Sequence, residues 1–510
     1  MTRSYITSTG CLLTGFLLFF LSAALCLADD TEFPVVPVEF TECDQAYPTP
    51  ADAECARLQV PQNPAVPAGQ TLSLNIMRVP AVNRTQADPV FIIVGGPGGA
   101  AVRSAPQYLS FFRGLQKNRD IVFVDQRGTG ESNGLACAWE DTPFSRLNDR
   151  QRQQQALGLV KQCIEALDAD LELYTTPYAV SDLEQVRIRL GYPHINLWGV
   201  SYGTRVILEF MRQYPGSVRA AVLDGVAPVS IQLPRFAEQD GSRALGLIFD
   251  QCERSTPCRE SYGNLREDWL NLLNALSAKP QTVTLSHPRS QEKIPTHVSA
   301  VTLSSWVRLA LYSRELAPLL PRAIHQATQN DFSVLGGIGL LAMDDIEQHM
   351  SQGMQMTVLC AEDQQYAPAG FTAEAEAARE KLLWLDKPET FAQLCDYLPK
   401  GHIPKTYFSP VKSGVPTLLL SGNYDPITPP RWAERVAQHL SHSRHILVPG
   451  GHHGVTMQGC VARLVQQFIE DGSATAINSE CIETIQPRPF FIDAAGPAMT
   501  APPSDTGDQL

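Results

Sequence analysis

A serine with one glycine two positions before it and another two positions after it lies where an apolar run meets an amphipathic one. Ser201 is the centre of the segment G-V-S-Y-G at residues 199–203. Residues 195–198 before it predict a buried strand, and residues 204–213 after it predict a helix. A side chain at such a join needs a sharp turn, which glycine neighbours accommodate without a clash. The segment therefore predicts that Ser201 is presented at the start of a helix, as a nucleophile would be.

Short apolar runs without polar alternation recur along the chain, and each ends in a glycine-rich or polar turn. Runs of this kind are typical of strands that are buried on both faces of a parallel sheet. Amphipathic stretches such as residues 151–167 and 180–190 separate the early runs and predict helices. Strands that alternate with helices indicate a doubly wound, mostly parallel α/β sheet. The predicted strands are residues 90–94, 121–124, 195–200, 220–223, 416–420 and 445–448.

The alternation is interrupted between residues 231 and 413, where several helix-like segments follow one another. We interpret this stretch as a large, mostly helical cap that is inserted before the penultimate strand of the core. Beyond residue 486 the chain is rich in proline, alanine, glycine and aspartate, a composition typical of segments that end in disorder. The predicted parts are a signal peptide at 1–28, a first core part at 29–230, the cap at 231–413, a second core part at 414–486 and a Pro-rich tail at 487–510.

The N-terminus has the order of features that secretory signal peptides share. Arg3 is followed by an apolar run at residues 11–21 and then by small residues up to Ala28. The run is short for a membrane span, and a polar segment follows it. We therefore expect cleavage near Ala28, export to the periplasm or the extracellular space, and no stable association with the membrane afterwards. Lipidation at Cys26 stays open as an alternative.

Ten of the 12 cysteines lie beyond residue 28, and an even number suits a disulfide-bonded exported chain. The chain has no C-x-x-C and no set of His and Cys at ligand spacing, so a metal is not expected. The spacing does not prove a connectivity. It suggests the local pairs Cys43–Cys55, Cys137–Cys163, Cys252–Cys258, Cys360–Cys395 and Cys460–Cys481.

A glycine-rich loop, V-G-G-P-G-G at residues 94–99, follows the first predicted core strand. Its glycines would let the backbone approach a substrate oxygen with N–H groups pointed at it. Pro97 has no N–H, so the expected oxyanion donors are the amides of Gly96 and Tyr202. A dinucleotide fingerprint would need glycine where Ala101 stands, and a P-loop would need Gly-Lys before Ser or Thr. A net charge of −13 without any basic run argues against nucleic acid as a partner.

A serine hydroxyl needs a base to take its proton, and the base needs a carboxylate to orient it. Asp425 lies in the loop just past one predicted strand, and the pair His452 and His453 follows the next strand. The carboxyl ends of parallel strands share one edge of a sheet, so these side chains are expected at the same edge as Ser201. We predict that Ser201, Asp425 and His453 are the catalytic residues, because Gly454 follows His453. His452 is the alternative base.

Together these motifs resemble those of the secreted tripeptidyl and prolyl aminopeptidase family of serine peptidases, within the α/β-hydrolases. The order serine, aspartate, histidine along the chain is that of the superfamily. The resemblance covers about residues 40–490, with an interruption in the predicted cap. Val94 stands where the prolyl enzymes often carry histidine, and Val200 replaces the more usual glycine of the elbow. The matching segments are residues 95–99, 125–132, 199–203, 421–429 and 453–454.

The resemblance implies the α/β-hydrolase fold and the release of residues or short peptides from a free N-terminus. The reaction would pass through an acyl-enzyme without a metal or an organic cofactor, and the substrates would be peptides with a free N-terminus. The segment C-A-E-D at residues 360–363 is similar to the family's cap motif, which implies that Glu362 binds the substrate ammonium. Asp125 and Arg127 are expected to hold the loop beside the active site rather than to react.

Two further functions are compatible with the same motifs. A carboxylesterase or lipase-like hydrolase would use the same triad, since the chemistry differs only in the leaving group. A binding protein that kept the fold without activity is a third hypothesis, because a fold alone does not determine a function. The complete set of nucleophile, base, acid and glycine loop argues against that third hypothesis.

Overall fold

The computed structural model describes residues 38–44, 49–137, 146–364 and 380–498. The predicted signal peptide with its cleavage near Ala28, and Cys26 with it, lies outside these residues. In the described ranges, no helix is both long enough and apolar enough to cross a bilayer.

A nine-stranded sheet forms the centre of the molecule, in the order β1-β2-β3-β5-β4-β6-β7-β10-β11. From β5 to β11 every neighbouring pair is parallel, while β1, β2 and β3 form an antiparallel edge. The predicted doubly wound, mostly parallel fold is confirmed, and the antiparallel edge adds to it. The strands are β1 Thr41–Glu42, β2 Glu54–Pro61, β3 Thr71–Val79, β4 Val90–Ile93, β5 Ile121–Val124, β6 Ile195–Val200, β7 Val218–Asp224, β10 Thr417–Gly422 and β11 Ser443–Val448.

Helices cover both faces of this sheet, as the side chains of β4 show. Phe91 and Ile93 pack into one apolar cluster, whereas Val90 and Ile92 pack into another. Successive side chains of a strand point to opposite faces, so a strand with a core on each side must be apolar at every position. The helices of these two layers are Ala101–Gln116, Asp149–Ala166, Thr176–Arg189, Tyr202–Gln213, Pro430–Ala437 and Val461–Asp471.

The long stretch between β7 and β10 has an apolar cluster of its own, built mainly from its helices. It also contains the antiparallel hairpin of β8 Gln281–Ser286 and β9 Lys293–Val298, which the helical interpretation did not foresee. The domain boundaries given above stay a prediction. The helices of this stretch are Leu233–Arg254, Thr256–Tyr262, Leu265–Ala278, Ala300–Tyr312, Leu320–Thr328, Ser333–His349, Gln352–Val358 and Pro388–Cys395.

Five disulfides join the cysteines in the local pairs that the spacing suggested. The longest of these loops, between Cys360 and Cys395, has a sequence separation of 35 residues. A crosslink limits the freedom of the unfolded chain, so each bond favours the folded state.

The first part of the predicted Pro-rich tail is packed rather than free. Phe490 is buried in the apolar cluster of the inserted stretch, and the Tyr262 hydroxyl donates a 2.8 Å hydrogen bond to the carbonyl of Phe491. Two short strands, β12 Phe491–Asp493 and β13 Gly496–Pro497, pair there. Residues 499–510 lie outside the described part of the chain.

Candidate active site

Ser201 lies between β6 and the helix Tyr202–Gln213 with φ 58° and ψ −127°, a backbone conformation that costs energy for a residue with a side chain. Its N–H donates to the carbonyl of Asp224 at 2.9 Å, which ties the turn to the end of β7. A Cβ on Gly203 would lie 2.2 Å from the carbonyl oxygen of Ile93, so only glycine fits there. The turn therefore presents the serine side chain at the carboxyl edge of the sheet.

The glycine loop runs directly beside this serine. A Cβ on Gly95 would come within 2.8 Å of the Ser201 Cβ, which shows how closely the loop backbone approaches. Gly96 has φ +123°, in the region that favours glycine. The amide of Tyr202 belongs to the first turn of its helix, where N–H groups have no partner within the helix.

A second chain segment is hydrogen-bonded to the glycine loop. The N–H of Ser351 donates to the carbonyl of Gly98 at 2.9 Å, and the N–H of Ala100 donates to the carbonyl of His349 at 3.1 Å. Between these bonds, Gly99 and Met350 form an isolated antiparallel bridge. The end of the helix Ser333–His349 therefore helps to fix the loop that faces Ser201.

Asp425 is fully buried in the loop after β10 and accepts several hydrogen bonds. Its Oδ1 accepts from the N–H groups of Ile427 and Thr428 at 2.9 and 2.8 Å, and its Oδ2 accepts from the Thr428 hydroxyl at 2.7 Å. Burial raises the pKa of Asp425, but the imidazole of His453 and the Thr428 bonds outweigh it and hold that pKa below its ordinary value. The carboxylate is therefore held ionised and in a single orientation.

The Nδ1 atom of His453 lies 2.9 Å from Oδ2 of Asp425. The ring of Tyr312 meets the imidazole edge-to-face with centroids 5.1 Å apart, and the His453 N–H donates to the carbonyl of Tyr312 at 3.3 Å. Burial lowers the pKa of His453, but the charge and hydrogen bond of Asp425 outweigh it, so the pKa lies above its ordinary value. With Nδ1 turned to the carboxylate, Nε2 is the nitrogen that remains for proton transfer.

His452 faces another way. Its Nδ1 lies 2.6 Å from the carbonyl of Leu311, and its ring stacks on Tyr424 with centroids 5.5 Å apart. Burial lowers the pKa of His452. Of the two adjacent histidines, the structure brings His453 to Asp425 and places His452 against the helix Ala300–Tyr312 and Tyr424.

A second buried carboxylate, which sequence reasoning missed, anchors the loop that carries His453. Asp224 accepts from the N–H groups of Val455 and Thr456 at 2.8 Å each and from the Thr456 hydroxyl at 2.7 Å. A signal was present, because Asp224 directly follows the apolar run 220–223, as Asp425 follows a later one. Both carboxylates lie at the carboxyl edge of the sheet, and both act on backbone N–H groups of loops.

Ser201 and His453 line one cavity of about 820 Å³. Most of the other lining residues come from the stretch between β7 and β10, and many of these are apolar, among them Leu309, Ile338 and Ile346. The volume lies within the range of sites that hold small organic ligands. In the part of the chain that the structure describes, no three His, Cys, Asp or Glu side chains are grouped closely enough to hold a metal ion.

Glu362, the expected amine anchor, is not among the residues that line this cavity. It is fully buried, and its oxygens accept from the N–H and the hydroxyl of Thr176 at 2.7 and 2.9 Å. Arg205 lies 3.3 Å from it, and the Tyr407 hydroxyl donates to it as well. These partners engage both carboxylate oxygens, and the role of Glu362 as the amine anchor stays a prediction.

Asp125 and Arg127 also have structural partners. Asp125 accepts from the Asn75 side chain and from the Val102 N–H at 2.9 Å each. Arg127 is fully buried and makes a bidentate pair with Asp182 through two 2.7 Å hydrogen bonds. These bonds fix the segment after β5 beside the glycine loop.

Two family models match this chain. One is described as "alpha/beta hydrolase fold" and covers residues 88–315, and the other is described as "TAP-like protein" and covers residues 386–481. Serine protease Hip1 of Mycobacterium tuberculosis is 23% identical over 480 residues, which cover 87% of this chain and 91% of that protein. Tripeptidyl aminopeptidase of Streptomyces coelicolor is 25% identical over 486 residues, which cover 89% and 87%. Putative hydrolase YuaR of Escherichia coli is 24% identical over 430 residues, which cover 76% and 83%.

Proposed function

We propose that this chain, which belongs to the α/β-hydrolase superfamily and is a serine peptidase related to the tripeptidyl aminopeptidases, removes short peptides from the free N-terminus of polypeptides. The observation that carries the proposal is the pairing of Asp425 with His453 in the wall of the cavity that also contains Ser201. A hydroxyl, an imidazole and a carboxylate are the three groups that acyl transfer to serine requires.

In the proposed mechanism, Nε2 of His453 takes the proton of Ser201 as its oxygen attacks the substrate carbonyl. The amides of Gly96 and Tyr202 donate hydrogen bonds to the developing oxyanion. Donors that are fixed in position are usually the largest single contribution to lowering the activation barrier. Asp425 keeps the imidazole in the tautomer with a proton on Nδ1 and stabilises its cationic form. His453 then protonates the leaving amine, and water repeats the sequence to release the peptide.

Specificity for a free N-terminus needs a carboxylate in the cavity, and Asp345 meets that requirement. It lines the cavity near the end of the helix Ser333–His349, and its side chain is 62% exposed. Its ion pair with Arg289, at 3.3 Å, is an exposed pair of small energy, so an ammonium can share the carboxylate. We therefore assign the amine site to Asp345, which lines the cavity, in preference to Glu362, which does not.

Export is part of the proposal. The predicted signal peptide directs the chain across the cytoplasmic membrane, and the five disulfides are stable in an oxidising compartment such as the periplasm or the extracellular space. Secretion can be tested by N-terminal sequencing of the mature protein, which should begin close to Asp29.

The proposal is tested on aminoacyl, dipeptidyl and tripeptidyl aminocoumarin amides and on their N-acetylated forms. Release of coumarin from the free amines, loss of the activity in Ser201→Ala and slow cleavage of the acetylated forms are expected. Equal rates on free and acetylated substrates would contradict amine recognition. Mass spectrometry of digested peptides then gives the number of residues released in each step.

An esterase with the same triad is the second candidate, and the apolar lining of the cavity favours it. It predicts that nitrophenyl acyl esters are turned over faster than any peptide amide and that Asp345→Asn has no effect on them. A fluorophosphonate probe distinguishes both enzymes from a binding protein. Labelling of Ser201 supports an enzyme, and folded protein that stays unlabelled would leave only a binding function.

A further inference from the structure

A positive charge that has no anionic partner among the described residues lies in the wall of the active-site cavity. Arg308 is on the helix Ala300–Tyr312 and lines the same cavity as Ser201 and His453. Its Nη1 donates to the Tyr312 hydroxyl at 3.1 Å, while its Nε is buried without a hydrogen-bond partner. Among the described residues, no carboxylate lies within ion-pair distance of this guanidinium. The charge is therefore only partly satisfied by the protein itself.

Two other arginines near the site, one exposed and one fully buried, do have carboxylate partners. Arg289, which also lines the cavity, pairs with Asp344 and Asp345 at 3.4 and 3.3 Å. The fully buried Arg205 pairs with Asp363 at 2.7 Å. A guanidinium withdrawn from water without an anion is costly, so a missing anion in a ligand cavity indicates that the ligand supplies it.

We propose that Arg308 binds a carboxylate of the peptide substrate in the fragment that leaves when the acyl-enzyme forms. A guanidinium is the side chain best suited to this ligand, because its parallel N–H groups match the two oxygens of a carboxylate. The proposal rests on the proposed function, since it assigns a subsite to the same cavity. A carboxylate subsite at Arg308 makes the enzyme selective for substrates that carry a negative charge shortly after the cleaved bond.

The position of Arg308 relative to His453 indicates that the bound carboxylate belongs to the fragment that leaves. Tyr312, which accepts the hydrogen bond of Arg308, contacts the imidazole of His453 edge-to-face at 5.1 Å. His453 is the proposed donor of a proton to the leaving amine, so a group bound beside it belongs to the departing fragment. That carboxylate is either the C-terminus of a short peptide or an acidic side chain.

Two substrate pairs distinguish these sources. Tetra-alanine is compared with its C-terminal amide, and a longer C-terminally amidated peptide with Glu just after the cleaved bond is compared with its Gln form. We expect about tenfold higher kcat/KM for the carboxylate in at least one pair, the ratio that corresponds to one charge-assisted hydrogen bond. The pair that shows the difference names the source of the carboxylate.

Arg308→Met should abolish the ratio of kcat/KM between the carboxylate and the neutral substrates, and Arg308→Lys should retain part of that ratio. Tyr312→Phe is the matched control, because it removes the hydroxyl that Arg308 contacts and keeps the aromatic ring against His453. A uniform loss on neutral and charged substrates in Arg308→Met would mean that the arginine only supports Tyr312, and would overturn the proposal.

Binding to the inactive Ser201→Ala protein separates this proposal from the proposed function. Calorimetry with both substrate pairs should show tighter binding of the carboxylate form in at least one of them, and that difference should disappear in Ser201→Ala/Arg308→Met. Equal affinities for acid and amide, and likewise for the Glu and Gln peptides, overturn the carboxylate subsite even where the wild type cleaves peptides. If the protein binds the carboxylate form more tightly but cleaves no peptide, the carboxylate subsite stands and the proposed peptidase function is wrong.

Discussion

The N–H of Ser351 donates a 2.9 Å hydrogen bond to the carbonyl of Gly98, which joins the inserted stretch of the chain to the loop beside Ser201. The bond matters because Gly96, two residues before Gly98, is the proposed oxyanion donor. Donors to an oxyanion act only if their positions are fixed before the reaction. The inserted stretch therefore contributes to the catalytic geometry as well as to the wall of the cavity.

Removing the N–H of Ser351 should displace this loop. Ser351 has φ −83° and Met350 has an extended backbone with φ −122° and ψ 129°, so Ser351→Pro is compatible with the local backbone and removes the N–H donor. We expect kcat to fall by about 10²-fold, as for loss of an oxyanion donor, with a smaller change in KM. Ser351→Ala keeps the N–H and is the control. Equal steady-state kinetics of the two variants would show that the bond does not position the loop.

The pH dependence of kcat/KM should report the ionisation of His453. Because the pKa of His453 is raised, and the base must be neutral to accept a proton, activity should rise with pH through a midpoint above about 6.5. In Asp425→Asn the imidazole loses its partner, so the midpoint should move to lower pH while the rate falls on the order of 10⁴-fold.

The neighbouring histidine gives the control for this profile. His452→Gln should keep the midpoint of the wild type, because its ring contacts Tyr424 and the carbonyl of Leu311 rather than Asp425. His453→Gln should lose the activity throughout the pH range. An active His453→Gln with an inactive but folded His452→Gln would reverse the proposed assignment of the base.

Glu362→Gln should lower stability rather than substrate affinity. The carboxylate lies 3.3 Å from Arg205 and accepts from Thr176, and all of these groups are buried. Loss of the charge leaves Arg205 with Asp363 alone, which should reduce the free energy of unfolding by about 2 kcal/mol in chemical denaturation. The exposed Glu260→Gln serves as the control. A raised KM for free amines with unchanged stability would instead support Glu362 as the amine anchor.

Asp345→Asn should weaken the binding of substrates with a free N-terminus. A carboxylate that contacts an ammonium through one charge-assisted hydrogen bond is worth about tenfold in KM. The matched control is Asp344→Asn, because Asp344 also pairs with Arg289 but is not among the residues that line the cavity. Initial rates on free and N-acetylated substrates measure the effect. Identical KM values for the two variants would remove Asp345 from the amine site.

Much of the fold can be predicted from the sequence because its signals are local. Residues 90–94 and 121–124 are apolar at every position, and the structure buries them on both faces in the centre of the sheet. The antiparallel β2 and β3 were not predicted, although β2 alternates buried and exposed residues. The hairpin of β8 and β9 lies within a stretch interpreted as helical, where Leu285 packs against helices and the rest of β8 is largely exposed.

The sequence by itself determined the strand-to-helix turn at Ser201 and the loop position of Asp425, because glycine spacing and apolar runs act over a few residues. Only the tertiary structure decided which histidine faces Asp425. The carbonyl of Leu311, 141 residues away in the sequence, engages His452 and leaves His453 to the carboxylate. The burial of Glu362 against Arg205, and the position of Arg308 away from every described carboxylate, also depend on the tertiary structure. Each of these features depends on which residues, far apart in the sequence, pack together in the fold, and no local pattern of residues encodes that.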